Sequence, residues 1–124
     1  MRHKLNISCG TDIIEISRIK KTIERLDEKF LDTIFTKNEI EYCESHKDNK
    51  YQHYAARFAA KEAVYKALNN VVDNDKMSWK NFEIINDTSG KPKINFQDDK
   101  IDKIDISISH CKEYAVANVV VLYE

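Results

Sequence analysis

Hydrophobic residues recur with a period of two at the start of the chain, near 3.6 through its middle, and two again toward its end. Leu5 to Cys9 alternates and reads as a first strand, which Gly10-Thr11-Asp12 ends or bends. Ile16, Ile19, Ile23, Leu26 and Phe30 follow helical spacing and predict an amphipathic helix. A short second helix is expected over Leu31 to Phe35. Thr36 is a good N-cap for a third, and Glu39, three residues on, completes a capping box. That helix runs to Ser45, and His46 to Asn49 forms a polar loop. Asp48 or Asn49 then caps a long helix of about 20 residues, which Asn69-Asn70 can end in left-handed geometry.

The second half reads as strands. Phe82 to Ile85 and Ile94 to Phe96 are joined by the turn Asp87-Thr88-Ser89-Gly90-Lys91-Pro92. Ile104, Ile106 and Ile108 alternate with Asp105, Ser107 and Ser109, the signature of a half-buried strand. Tyr114 to Tyr123 is nearly continuously apolar and suits a central strand. The expected architecture is α+β: helices mostly in the N-terminal half, then a small, mainly antiparallel sheet packed on the long helix.

The second half of the long helix, Arg57 to Leu68, organises the rest. Ala59, Ala60, Ala63 and Ala67 fall on a stripe about 100° wide, so another backbone can approach closely. Glu62 and Lys66 are i and i+4 neighbours at the edge of that stripe. As a plain helix-stabilising pair they are worth a few tenths of a kcal/mol. Arg18, Lys21, Arg25 and Lys29 line the far side of the first helix within about 80°. Such a stripe is a solvated face unless its partner is acidic.

Composition narrows the class. The 124 residues fit one domain, 1–124, with no linker among only two glycines and one proline. A net charge of -1 argues against a general nucleic-acid or membrane binder. No apolar run is long enough to span a bilayer. Met1-Arg2-His3-Lys4 leads directly into the first strand and does not read as a signal peptide. Cys9, Cys43 and Cys111 are odd in number and form no CxxC pair, which points to reduced thiols in the cytoplasm.

Several positions carry candidate chemistry. Asp12 is either a turn residue or, with Glu62, one of two oxygen ligands suited to Mg²⁺ with room left for water and phosphate. Zinc-ligand spacing and a GxxxxGK loop are both missing from the sequence. His110 shares a face with Ile104, Ile106 and Ile108 at a strand end, so it is either a structural histidine or a site residue. Ser109 can bond a ligand or only the turn, and Lys91 is either a solvated lysine or a phosphate contact.

Gly10-Thr11-Asp12-Ile13, Arg57-Phe58-Ala59-Ala60-Lys61-Glu62-Ala63 with Lys66, Ser89-Gly90-Lys91-Pro92, and Ser107-Ile108-Ser109-His110 with Tyr114-Ala115 together resemble the ordered blocks of the holo-[acyl-carrier-protein] synthases, the short phosphopantetheinyl transferases. Phe35 to Ile40 also resembles the segment between that family's first and long helices. The resemblance implies the 4′-phosphopantetheinyl transferase fold. It also implies transfer of phosphopantetheine from coenzyme A to a serine of acyl carrier protein, releasing adenosine 3′,5′-bisphosphate, in fatty-acid biosynthesis. Asp12 and Glu62 match the family's Mg²⁺ ligands, Glu62 is the candidate base, and Lys66 is placed at the leaving phosphate. Arg57, Lys61, Lys66, Gly90, Lys91, Pro92, Ser109 and His110 would line the coenzyme A cleft. Arg18, Lys21 and Arg25 would meet the acidic carrier. Related chains of twice this length carry two such halves, so the resemblance implies a homotrimer with sites between subunits. Two departures stand out: Ser8 where the family often has Gly, and Cys111 where it usually has Ser or Thr. The competing readings are another metal-dependent nucleotide or phosphate hydrolase and a non-catalytic partner-binding subunit.

Overall fold

The first strand runs straight through its glycine. In the computed structural model, which describes residues 4–124, β1 spans Asn6–Glu15, so the break expected at Gly10-Thr11-Asp12 does not occur. Gly10 serves a close approach instead of a turn. A Cβ there would stand 2.0 Å from the Ala63 carbonyl oxygen and 2.8 Å from the Ala67 nitrogen, so only glycine lets the strand lie on the helix. The N-terminal Met1-Arg2-His3, used above against a signal peptide, lies outside the described residues.

After β1 come α1 (Ile16–Leu26), α2 (Glu28–Ile34), α3 (Lys37–Glu44) and the long α4 (Lys50–Leu68). They are followed by β2 (Glu83–Asn86), β3 (Pro92–Asn95), β4 (Ile101–His110) and β5 (Tyr114–Tyr123). The apolar period that joins Ile16 to Phe30 is interrupted at Asp27, whose φ of 53° and ψ of -131° end α1 and place Phe30 in α2. The capping box forms as expected: Thr36 Oγ1 accepts from the Glu39 nitrogen, and a Glu39 carboxylate oxygen accepts from the Thr36 nitrogen. Asn49 occupies the N-cap of α4 without a side-chain cap bond, and Asn70 takes φ 70° beyond the helix's other end.

β5 is central, with β1 and β4 antiparallel on either side of it; β2 and β3 form a separate antiparallel hairpin. One sheet face packs on α4. Ala117, Val119 and Val121 from β5 and Ile106 from β4 close against Ala59, Ala63 and Ala67. A second core joins α1 to α3 to the other side of α4 through Ile19, Ile23, Phe35, Cys43 and Tyr54. The alanine stripe therefore does what its small side chains allow: all four alanines are fully buried, and the β1 backbone lies against them. Ser8 adds a fastening, donating from Oγ to the Ala67 carbonyl at 2.7 Å, one of the last carbonyls of α4.

Candidate functional site

Strand alternation decides which β1 side chains reach α4. Ser8, Gly10, Asp12 and Ile14 turn toward the helix, while Ile7, Cys9, Thr11 and Ile13 stay exposed on the other face. The helix period brings Glu62 and Lys66 to the same border. The Lys66 ammonium donates to the Thr11 carbonyl at 3.0 Å and to Asp12 Oδ1 at 3.3 Å. The Asp12 side chain is only 17 % exposed and that of Lys66 is 52 % exposed, so the pair sits at a surface rim. Burial pushes the Glu62 carboxyl above the ordinary carboxylate range; the Asp12 charge pushes it further and Lys66 partly offsets both. Two side chains far apart in sequence thus share one electrostatic site within a single chain.

The donor set fits a hard divalent cation. Two carboxylates face one ammonium, which leaves a net negative rim of oxygen donors. No group of three His, Cys, Asp or Glu side chains able to hold a metal occurs among the described residues.

Two residues of the Arg57-to-Ala63 block turn inward. Lys61 is fully buried, and its ammonium donates to the Ile34 carbonyl at 2.8 Å and the Trp79 carbonyl at 2.7 Å, and pairs with Glu39 Oε1 at 2.6 Å. All three of its donors are used, so the expectation that Lys61 lines a coenzyme A cleft is corrected: it is a structural cation. The other Glu39 oxygen accepts from the Ile84 nitrogen at 2.8 Å, tying α3 and α4 to the hairpin. Nearby, Thr36 Oγ1 donates to Glu83 Oε2. Arg57, also expected in the coenzyme A cleft, is turned inward instead: it is 4 % exposed, and its guanidinium lies 3.8 Å over the Tyr42 ring and donates to Asn86 Oδ1 at 2.5 Å.

The remaining expected residues are at the surface. Gly90 takes φ 88° in the turn between β2 and β3, a conformation that favours glycine, and Pro92 begins β3. Lys91 is exposed, with its ammonium 3.6 Å from Asp105 Oδ1. Ser109 and His110 are exposed at the end of β4. Arg18, Lys21 and Arg25 are exposed along α1, apart from the buried Ile19 and Ile23. The sequence gives no local sign of a histidine cluster that includes His110. The His46 and His53 rings lie 3.9 Å apart, and His110 lies 6.4 Å from His53. Burial, then His46, Arg57 and His110, push the His53 pKa down to about 4. His46 stands in the loop outside α4, so no helical spacing joins the two in sequence.

A family model for the 4′-phosphopantetheinyl transferase superfamily matches residues 8–119. The chain is 47 % identical over 120 residues to the holo-[acyl-carrier-protein] synthase of Ruminiclostridium cellulolyticum, covering 90 % of this chain and 89 % of that one. Its fold is similar to the crystal structure of the Bacillus anthracis holo-(acyl-carrier-protein) synthase in complex with CoA (3′,5′-ADP). That match has a TM-score of 0.82 at 35 % identity, over 98 % of this chain and 100 % of that one. The Helicobacter pylori synthase in complex with coenzyme A is similar at TM-score 0.78 and 34 % identity, over 91 % of this chain and 98 % of that one.

Proposed function

This chain belongs to the 4′-phosphopantetheinyl transferase superfamily and is an enzyme of the holo-[acyl-carrier-protein] synthase type, and on that premise we propose that it moves phosphopantetheine from coenzyme A to a serine of apo-acyl carrier protein. The observation that carries the reading is the meeting of Asp12, Glu62 and Lys66 across β1 and α4. The partner's serine oxygen attacks the pyrophosphate phosphorus nearer the pantetheine. A new P–O bond forms, the bond to the bridging oxygen breaks, and adenosine 3′,5′-bisphosphate leaves with the electron pair. Glu62, held above the usual carboxylate range, takes the serine proton directly or through a water. Lys66, the exposed member of its ion pair, stands ready to offset charge on the leaving group. Asp12 and Glu62 are the proposed Mg²⁺ ligands; when bound, the ion polarises the pyrophosphate and neutralises developing charge.

Gly90, Lys91, Pro92, Ser109 and His110 are the proposed coenzyme A contacts, and Arg18, Lys21 and Arg25 the proposed carrier-docking face. We further infer a homotrimer with sites between subunits. The sheet face away from α4 supports this: Ile7 is 65 %, Ile13 63 % and Val120 36 % exposed there, an apolar surface a second copy would cover. The unpaired thiols Cys9, Cys43 and Cys111 suit the reducing cytoplasm, and no described helix is long and apolar enough to cross a membrane. The test is to incubate the protein with apo-carrier, coenzyme A and Mg²⁺ and weigh the carrier. A gain of the phosphopantetheine mass is expected. No gain with or without metal, or coenzyme A cleavage that ignores the carrier, would overturn the reading.

A further inference from the structure

The turn between β2 and β3 holds its own shape. Asp87 Oδ1 accepts from the Ser89 nitrogen at 2.9 Å, Ser89 Oγ at 2.6 Å and the Lys91 nitrogen at 3.0 Å. The Asp87 nitrogen donates to the Lys91 carbonyl at 2.9 Å, and the Gly90 nitrogen to the Asp87 carbonyl at 2.9 Å. These bonds fix the loop's form but not its placement on the domain. Among the described residues, two side-chain links tie the turn to the domain: the exposed Lys91–Asp105 pair at 3.6 Å, and the buried end of the chain of bonds through Asn86, the last residue of β2. Its Oδ1 accepts from Arg57 Nη2 at 2.5 Å, and its Nδ2 donates to the Gly90 carbonyl at 2.9 Å.

Arg57 is an unusual anchor to spend on packing alone. It is only 4 % exposed, its Nε has no hydrogen-bond partner among the described residues, and its hydrogen bond goes to a neutral amide. A guanidinium so placed is costly to bury. What it gains is rigidity: the cation is clamped over the Tyr42 ring and sits on the helix that carries Glu62 and Lys66. Arg57 and Glu62 are five positions apart, about 7.5 Å along the helix axis. The turn and the catalytic carboxylate are thereby referred to one rigid element.

We propose that Asn86 is a positioning residue, whose carboxamide couples Arg57 to the Gly90 carbonyl and sets the 87–91 turn where it grips coenzyme A. The proposal rests on the function stated above, and on the Gly90-Lys91 turn as a coenzyme A contact. Asn86→Asp separates the two links, because it keeps an oxygen for Arg57 and removes the amide that donates to Gly90. Asn86→Ala removes both.

The full-length protein is assayed with coenzyme A and apo-acyl carrier protein, and coenzyme A affinity is measured separately by calorimetry. Asn86→Asp and Asn86→Ala are each expected to raise the coenzyme A Kd and KM about fivefold, the factor one net hydrogen bond is worth. The kcat and the carrier KM stay within about twofold. A purely structural Asn86 gives the opposite pattern: Asn86→Asp binds coenzyme A like wild type, while Asn86→Ala loses stability with no split between the two KM values. That pattern overturns the proposal. If Asn86→Asp does not fold, Asn86→Ala decides by the same Kd, and an unchanged value sinks the idea. A wild type that binds coenzyme A but transfers nothing defeats the functional reading, while the Kd comparison still judges Asn86.

Discussion

Lys61→Met tests whether the buried ion pair is a structural node. The substitution keeps the length and apolar bulk of the side chain and removes the ammonium that Glu39, the Ile34 carbonyl and the Trp79 carbonyl share. Glu39, 1 % exposed, keeps its bonds from Thr36 and Ile84 but loses its counter-charge. Breaking a buried pair from one side costs about 3–5 kcal/mol, because the surviving charge stays desolvated. A domain of this size has about 5–15 kcal/mol in all. At about 3–5 °C per kcal/mol, the melting temperature should fall by about 10–20 °C. Urea unfolding at fixed protomer concentration, followed by the fluorescence of Trp79, reads the free-energy loss directly. Trp79 is a suitable reporter because it stacks on Phe58 at 5.9 Å and its carbonyl is one of the lost partners. Adding Glu39→Gln to Lys61→Met removes the stranded charge and keeps an acceptor for Ile84, so part of the loss should return. A coupling above about 1 kcal/mol in that cycle is the expected signature. A loss below about 1 kcal/mol, or a raised coenzyme A KM in a variant of unchanged stability, would refute the argument and return Lys61 to the cleft.

Further outcomes follow from the same geometry. Asp12→Ala and Glu62→Ala should each lower turnover by several orders of magnitude while circular dichroism reports an intact fold. Gly10→Ala forces a methyl to within 2.0 Å of the Ala63 carbonyl oxygen, so the strand must lift from α4. The loss, measured by urea unfolding, should be about 1–3 kcal/mol, and activity should fall with it because Asp12 rides on the same strand. Arg18→Glu should raise the KM for carrier protein and leave that for coenzyme A nearly unchanged; equal changes would assign Arg18 to the fold or the cleft. His53 is pushed from 6.5 down to about 4 in the folded chain. The unfolded chain therefore binds the extra proton between those values, and stability should fall as pH drops through that window. His53→Gln should flatten this part of the stability profile.

Much of the architecture follows from local pattern. The capping box at Thr36, the alternating β4 and the central apolar β5 are each specified by residues within a few positions of one another. What was hidden depends on partners distant in sequence. Gly10 can signal either a turn or a close approach, and only the alanine stripe about 50 residues later distinguishes them. Glu39 reads completely as a capping residue, yet its second role needs Lys61 and the hairpin. Lys61, which the resemblance assigns to the cleft, adjoins Glu62 in the motif yet is buried. Successive helical residues point about 100° apart, so sequence neighbours serve different faces. The spacing Tyr54, Arg57, Lys61, Val64 and Leu68 marks a second buried stripe, and two of its members are cations. At the site, Asp12 is legible only as a candidate ligand, whereas its meeting with Glu62 requires the strand to continue through Gly10.

The pairing of β1 with β5, from Asn6 opposite Tyr123 to Glu15 opposite Tyr114, also has a kinetic consequence. A ribosome releases β1 long before its hydrogen-bonding partner exists, so Asp12 has no fixed address until residues 114–123 emerge. Helices α1 to α4 can assemble during synthesis, but the chemistry becomes possible only after the chain has doubled back on its own beginning. Nascent chains stalled before Tyr114 should therefore hold a helical core with an unseated first strand.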